Sequence, residues 1–278
     1  MYSLLQKKPK IKTEPYPHVI IEEALPWNLY EELENTFPEK QLMNTIPLDN
    51  GICYRMKSDK LVHPTFQPEI WRKFSEYHTS AEWFMEIYEL FKPWLSTQPK
   101  ITKLLENIKN HVCARPWASF KESKMQGRKI NLLTDCQVVI HKPITEKTSR
   151  TPHIDNPLEI FAGLLYMPYK DDTSTGGDFQ LHTVKNDIIR VNMKGGREIY
   201  PEDVGPVHTT VPYKRNTFVM FLNINSNTVH SVSIRNNPTM YRRSVNIIAE
   251  FRKKNGPYHK MYEVDEGYYS DELRNKNK

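Results

Sequence analysis

The sequence predicts a mainly β fold, an antiparallel barrel or sandwich packed on its outside by helices from the first half of the chain. Two observations carry this prediction. Apolar residues recur at helical spacing as far as residue 112, and short apolar or alternating runs follow from about residue 130. Pro, Gly, Asn or Asp bounds each run, and no helical pattern separates one run from the next. A jelly-roll built from such strands can hold a small ligand between its sheets.

The helical half contains three periodic segments. Residues 26–37 begin at a proline, which suits the first turn of a helix, and they place Trp27, Tyr30, Leu33 and Phe37 at helical spacing. Residues 80–95 and 100–112 repeat this spacing with aromatic, leucine and isoleucine side chains. A stripe of this kind predicts a face buried in the core rather than a binding surface.

The β half contains short runs that alternate or are wholly apolar, as strands of a closed sheet do. They are DCQVVIHK (135–142), EIFAGLLYM (159–167), DFQLHTV (178–184), VHTTVPY (207–213), TFVMFLN (217–223), TVHSVSI (228–234) and RRSVNIIAEFR (242–252). Gly176 and Gly177 precede the third run and predict a tight turn rather than a phosphate-binding loop.

We expect one continuous domain over residues 15–253, with helical support to about residue 128 and the β core from about residue 130. No internal repeat or low-complexity linker interrupts this stretch. Residues 1–14 contain four lysines and predict a flexible basic arm. Residues 254–278 predict a polar tail.

Composition excludes several classes of protein. The apolar fraction is 38%, and no run approaches the roughly 20 apolar residues of a membrane span. Cys53, Cys113 and Cys136 form no CxxC pair, and the start of the sequence lacks a signal-peptide core, so we expect a reducing, cytoplasmic setting. The net charge of +6 suits an anionic substrate or nucleic acid, and it equally suits a solvated basic surface.

The residues that carry chemistry are His153 and Asp155, which form an HxD pair in TPHIDNP, and His230 in NTVHSV. Two imidazoles and one carboxylate on one face of a metal ion are the facial triad of non-haem Fe(II) oxygenases, which leaves coordination positions open for oxygen and a co-substrate. An HxD pair alone is a weak signal, because a structural histidine beside a capping aspartate gives the same pattern. Its position at a loop–strand junction, with a histidine on a later strand, favours the metal site.

Strand alternation divides the run after Tyr241 into two faces. Arg242, Ser244, Asn246 and Ile248 share a polar face. The alternate residues share an apolar face that suits the core, namely Arg243, Val245, Ile247, Ala249 and Phe251. Arg242 can therefore grip a carboxylate with two hydrogen bonds, and the Ser244 hydroxyl can add a third. The alternative is that both arginines are surface charges at the start of a strand.

Tyr166 in FAGLLYMPY lies on a neighbouring predicted strand. Its hydroxyl can reach the same carboxylate as Arg242, or Tyr166 can be an ordinary tyrosine of the barrel wall.

The ordered motifs HIDNP, GLLYMPY, GGDFQL, FLNINSNTVHSV and YRRSVNII resemble the 2-oxoglutarate/Fe(II)-dependent dioxygenases of the prolyl-4-hydroxylase-like branch, including its viral and bacterial members. The segment YPHVIIEEALPWNLYEELENTFP is similar to the N-terminal lead-in of such proteins, so the resemblance covers most of residues 15–253. It implies a double-stranded β-helix, Fe(II) bound by the HxD pair and His230, and O2 as oxidant. It also implies that the distal carboxylate of 2-oxoglutarate lies on Arg242, helped by Ser244 or Tyr166. His141 stands where relatives often have a tyrosine that contacts the co-substrate.

The implied reaction is decarboxylation of 2-oxoglutarate to succinate and CO2, coupled to hydroxylation of a small molecule or a peptidyl proline. The carboxylate of Asp155 is present, whereas related halogenases lack it, so hydroxylation is the better match. Residues 185–215 predict a basic loop that frames an anionic substrate or is simply solvated. Its basic residues are Lys185, Arg190, Lys194, Arg197, Lys214 and Arg215.

Three rival functions remain. The branch that repairs alkylated nucleic acid carries a second arginine six positions after the first, but Ile248 and Ala249 stand there, which argues against a nucleic-acid substrate. A zinc hydrolase needs a general base beside the metal, and no HExxH run is present. A non-catalytic β-helix protein that binds a metal or a sugar is the main alternative. The sequence does not indicate the oligomeric state.

Overall fold

The computed structural model describes residues 2–48, 51–115, 130–185, 191–192, 198–225 and 227–252. Its helices are α1 (Trp27–Asn35), α2 (Ser58–Leu61), α3 (Glu69–His78), α4 (Ala81–Leu90), α5 (Lys92–Leu95) and α6 (Pro99–Leu105), with 3-10 turns at Lys40–Leu42 and Ile108–Asn110. Its strands are β1 (His18–Ile21), β2 (Asn44–Leu48), β3 (Gly51–Met56), β4 (Val112–Ala114), β5 (Leu132–His141), β6 (Glu159–Tyr166), β7 (Thr175–Gly176), β8 (Phe179–Val184), β9 (Val191–Asn192), β10 (Glu198–Ile199), β11 (Val204–Val211), β12 (Phe218–Leu222), β13 (His230–Val232), β14 (Arg235–Asn236) and β15 (Arg242–Phe251).

Two sheets build the β core. The large sheet has the antiparallel order β1-β12-β6-β15-β5-β3-β2, with β4 added parallel to β5, and the small sheet has the order β11-β8-β13. Phe179 and Leu181 of the small sheet form one buried apolar cluster with Ala162, Val219 and Phe221 of the large sheet. The two sheets therefore face each other as a jelly-roll, which confirms the predicted fold class.

The helices cover the outer face of the large sheet. Val245 and Ile247 of β15 are fully buried in the same core cluster as Trp71 of α3 and Trp83 of α4. Burying side chains of this size contributes about 1.5–3 kcal/mol each, so this layer is a main source of stability. Among the helices of the described residues, none has both the length and the apolar character needed to cross a membrane.

The predicted helices differ from the observed ones at their ends. The segment 80–95 is divided into α4 and α5, and a proline occupies the first turn of α5. Proline is tolerated in a first turn but not in the middle of one continuous helix, so α4 ends before it. The segment 100–112 ends early, because Val112 already belongs to β4. On α1, Leu33 is buried as predicted, but Trp27 is 40% exposed, so its place on the buried face was wrong. The hairpin of β2 and β3 was not predicted.

The start of the chain packs on the core. Leu4 is fully buried and Leu5 is nearly so, and the backbone of Lys12 pairs with that of His18. Residues 3–5 therefore do not form the free arm that the four lysines suggested, since two adjacent leucines outweigh the charges around them. The predicted polar tail at 254–278 lies outside the described residues, and the unity of residues 15–253 stays a prediction.

The three cysteines at positions 53, 113 and 136 are buried and free. This agrees with the absence of a disulfide framework that their odd number and spacing indicate.

Candidate metal centre

His153, Asp155 and His230 meet at one end of the β core. His153 lies in the connection between β5 and β6, and His230 is the first residue of β13. The two histidines exchange backbone hydrogen bonds, with N–H to carbonyl distances of 3.0 Å in each direction. This double bridge holds residues 77 positions apart in sequence side by side, and it places the carboxylate of Asp155 beside both rings.

The side chains of these three residues present one ligand atom each within 4.8 Å of one another. The Nε2 atom of His153 is 3.9 Å from one carboxylate oxygen of Asp155, and the Nε2 atom of His230 is 3.6 Å from the other. On the far side of each ring, Nδ1 lies 2.8 Å from the carbonyl of Thr151 for His153 and 2.9 Å from that of Thr228 for His230. Because a carbonyl only accepts, Nδ1 donates, and the Nε2 lone pairs point toward Asp155.

This arrangement fits a divalent metal ion. Bonds of about 2.1 Å to imidazole nitrogen and carboxylate oxygen can span ligand separations up to about 4.2 Å, and both measured separations are shorter. Burial lowers the pKa of His153 well below its ordinary value, and the neighbouring His230 and Arg150 act in the same direction. A neutral imidazole is the form that binds a metal, so the environment favours that form.

Aromatic side chains form the wall behind the triad. The rings of Phe221 and Phe179 lie 4.8 Å and 5.2 Å from the ring of His230. The Tyr16 hydroxyl donates to the carbonyl of Val229, the residue before His230, at 2.9 Å. These contacts fix the ring of His230 and keep water from that side. Sequence reasoning missed all three aromatic residues as parts of the site, because each one reads as ordinary core.

Arg242 lies at a second position on the wall of the same cavity and is 3% exposed. Its Nε donates to the carbonyl of Gly177 at 3.0 Å, and its guanidinium carbon lies 5.1 Å and 4.9 Å from the ring centres of Tyr166 and Tyr213. Within the part of the chain that the structure describes, its buried Nη2 has no hydrogen-bond partner. A buried donor in this state requires a ligand or water.

The faces of β15 follow the predicted alternation. Ser244, Asn246 and Ile248 line the cavity with Arg242. Arg243 points the other way, where its Nε donates to the carbonyl of Met167 at 2.8 Å. The choice of Arg242 over its neighbour therefore agrees with the geometry, although its role in binding a ligand stays a prediction.

The remaining predicted residues take different positions. The Ser244 hydroxyl lies on the cavity wall and donates to Asn246 Oδ1 at 3.1 Å. His141 also lines the cavity, and burial, together with Arg242 and other arginines, lowers its pKa to about 3, so this imidazole is neutral. Tyr166 is fully buried beside Arg242, and its ring lies against the guanidinium. Among the described residues its hydroxyl has no hydrogen-bond partner, and its predicted contact with a co-substrate stays a prediction.

The cavity between the two sheets has a volume of about 380 Å³, enough for small organic ligands. Sequence reasoning missed several polar residues on its wall, namely Arg55, Arg115, Gln137, Ser149, Arg150 and Glu159. Gln137 could have been found, because it alternates with His141 along one predicted strand. Arg55 could not, because the hairpin that carries it gave no clear strand pattern.

The structure describes only some of the basic residues predicted to frame the cavity. Arg190, Lys194 and Arg197 lie outside the described residues. Lys214 pairs with Glu22, and Arg215 pairs with Glu34 on α1, so these two cations bind the N-terminal segment rather than frame the cavity.

No family model matches this sequence, and no curated protein matches it. Among solved structures, the chain is similar to a prolyl-4-hydroxylase from Pseudomonas putida, with 11% identity, a TM-score of 0.40, and coverage of 85% of this chain and 92% of that one. A prolyl 4-hydroxylase from Phytophthora capsici has 14% identity and a TM-score of 0.46, and the match covers 86% of this chain and 60% of that one. The epimerase SnoN, crystallised with Fe3+, alpha ketoglutarate and nogalamycin RO, has 12% identity and a TM-score of 0.44. That match covers 86% of this chain and 82% of that one. These similarities are too distant to carry the neighbours' reactions over to this chain.

Proposed function

We propose that this chain is an Fe(II)- and 2-oxoglutarate-dependent dioxygenase that hydroxylates a small molecule or a peptidyl proline and releases succinate and CO2. The observation that supports it best is the set of side chains that line one cavity. Two histidines and an aspartate converge on its wall, and a buried arginine with an unsatisfied Nη2 among the described residues faces the same space. A metal chelator with a distant carboxylate needs these two features together.

Each residue has a role in this proposal. His153, Asp155 and His230 hold the metal ion, and Arg242 binds the distal carboxylate of 2-oxoglutarate through a charge-assisted hydrogen bond. The hydroxyl of Ser244 lies on the same wall and can accept or donate a further hydrogen bond. Iron and 2-oxoglutarate, when bound, supply the oxidising chemistry that amino-acid side chains cannot.

The protein's own contribution is orientation and exclusion of water. Tyr166 and Tyr213 hold the guanidinium of Arg242 in one direction, and Gly177 fixes its Nε. Phe179 and Phe221 present apolar surface beside the candidate metal ligands. A fixed cation and a dry wall reduce the cost of ordering a charged ligand when it binds.

The test is anaerobic titration of the purified protein with Fe(II) and 2-oxoglutarate, followed by visible absorption. We expect a weak charge-transfer band that weakens in Arg242→Ala and disappears in His230→Ala. Arg72→Ala on the outer surface of α3 is the matched arginine control and leaves the band unchanged. Admission of oxygen then gives succinate. A protein that retains a metal but neither binds nor consumes 2-oxoglutarate contradicts the proposal and supports the non-catalytic binding protein.

A further inference from the structure

Besides Arg242, the cavity is lined by three arginines that the proposed function leaves unused, Arg55 of β3, Arg115 and Arg150. The register pairs Arg55 with Val139 of β5, and Val139 with Ser244 of β15. Residues paired directly across antiparallel strands point to the same face of a sheet. Arg55 therefore faces the space between the sheets, and it lines the cavity that holds the candidate metal ligands.

Arg55 and Arg242 occupy separate positions on this wall. Arg242 pairs with His141, which pairs in turn with Cys53, so Arg55 lies two strands away and two residues further along. With strands about 4.8 Å apart and a rise of about 3.3 Å per residue, their Cα atoms are roughly 12 Å apart. The apolar Val139 and the neutral His141 lie between them on β5.

Two other arginines near the core have acidic partners. Arg115, also on the cavity wall, is paired with Asp135 and Glu250. Arg235, outside the cavity, is paired with Asp172.

Arg55 has no such partner. In residues 2–48, 51–115 and the later described segments, no carboxylate forms an ion pair with it, and its buried Nε has no hydrogen-bond partner. Arg55 is half-buried, so holding its charge on the cavity wall without a counter-charge carries a cost that an anion brought by a ligand would relieve.

Apolar side chains also line the cavity that Arg55 faces. Ile46 is paired with Cys53 on the same hairpin, and Leu164 and Ile248 continue the apolar surface on β6 and β15. A ligand that fills this region would combine an organic body with one negatively charged group.

We propose that Arg55 binds an anionic group of the substrate, a carboxylate or a phosphate, so that this site acts on an organic anion. The description of the ligand as a substrate rests on the proposed dioxygenase function. The planar guanidinium suits both groups, because each presents two oxygens to its paired N–H donors. This assigns substrate recognition to the β2–β3 hairpin rather than to the basic loop at 185–215.

The experiment uses the full chain loaded with Zn(II), which is redox-inactive, and saturated with 2-oxoglutarate. The probes are two matched pairs, phenylacetate with phenylacetamide and phenyl phosphate with phenol, and calorimetry measures each Kd. We expect at least one anion to bind ten times more tightly than its neutral partner. The pair that shows the larger difference identifies the carboxylate or the phosphate as the preferred group.

Variants then locate the preference. Arg55→Gln reduces the difference to less than threefold, Arg55→Lys keeps part of it because the charge remains, and Arg72→Gln leaves it unchanged. The Kd for 2-oxoglutarate stays the same in Arg55→Gln, while Arg242→Gln raises it. Thermal unfolding of each variant confirms that the protein is folded.

Three results would overturn the proposal. They are the absence of any anion preference in both pairs, a preference that survives in Arg55→Gln, and a loss of 2-oxoglutarate affinity in Arg55→Gln as large as in Arg242→Gln. Failure of the dioxygenase function is distinguishable, because it appears first as failure to bind Zn(II) or 2-oxoglutarate. In that case the probe pairs are titrated into Arg242→Gln without metal or 2-oxoglutarate, and into the same variant that also carries Arg55→Gln. An anion preference that is present in the first protein and lost in the second shows that the anion site exists.

Discussion

Tyr213 contacts the backbone of Arg243 through its hydroxyl and the guanidinium groups of Arg242 and Arg235 through its ring, and two substitutions separate the hydroxyl from the ring. Its hydroxyl accepts from the backbone N–H of Arg243 at 2.7 Å and lies 3.3 Å from the carbonyl of the same residue. Its ring lies 4.9 Å from the guanidinium carbon of Arg242. Pairing of β15 with β6 begins only at Ser244, so the Arg243 N–H depends on this hydroxyl.

Tyr213→Phe removes the hydroxyl and keeps the ring. The N–H of Arg243 then has no partner, and an unsatisfied donor of this kind costs about 1–3 kcal/mol of the free energy of unfolding. Tyr213→Leu also removes the ring, and a desolvated cation–π contact contributes about 1–2 kcal/mol. If that contact orients Arg242 for a carboxylate, its loss raises the Kd for 2-oxoglutarate by about 5- to 30-fold.

Urea unfolding and calorimetric titration of 2-oxoglutarate measure the two effects. We expect Tyr213→Phe to lose stability while its Kd stays within twofold of the parent, and Tyr213→Leu to lose both stability and affinity. Equal affinity in Tyr213→Leu and the parent would refute the role of the ring. A rise in Kd for Tyr213→Phe equal to that of Tyr213→Leu would show that the hydroxyl, through β15, positions Arg242 instead.

Three further predictions concern stability and are measured by urea unfolding. Leu33→Ala empties a fully buried position and costs about 2–5 kcal/mol, whereas Glu31→Ala on the exposed face of α1 changes stability little. Gly176→Ala destabilises the turn before β8, because φ is +75° and a Cβ atom would lie 2.0 Å from the carbonyl oxygen of Ile234; an unchanged midpoint contradicts this geometry. Burial lowers the pKa of His78 to about 3, so the unfolded chain takes up the proton first as pH falls from about 6.5. The contribution of this group to the free energy of unfolding is complete above about pH 6.5 and is lost toward about pH 3. His78→Leu therefore makes the decline of the free energy of unfolding between about pH 7 and pH 4 shallower. An equal slope in both proteins would count against a neutral buried imidazole.

Local periodicity was enough to predict the parts of the site that lie on a single strand. The alternation along β15 placed Arg242 and Ser244 on the cavity wall and Arg243 on the other face. The HxD spacing and the later His230 predicted three side chains that the structure does bring together.

Contacts between distant segments could not be predicted in this way. Tyr213 supports β15 from a position 30 residues earlier, and no repeat in the sequence relates the two. The side chain of Arg55 enters the cavity because β3 pairs with β5, and a short hairpin strand gives little periodic signal. Leu4 and Leu5 were hidden among lysines, since a pair of apolar residues is too short to indicate burial.

The two ends of the candidate site lie on strands that differ in local stability. Arg242 begins a ten-residue strand that is hydrogen-bonded on both sides, to β5 and to β6, whereas His230 begins a three-residue strand held by β8 and by the bridge to His153. Amides in the middle of β15 should exchange with deuterium only when the whole protein unfolds, while those around His230 exchange through local opening. The end at which we propose that a carboxylate binds therefore lies on the more stable strand, and the proposed metal end is the part whose fluctuations a bound ion would suppress.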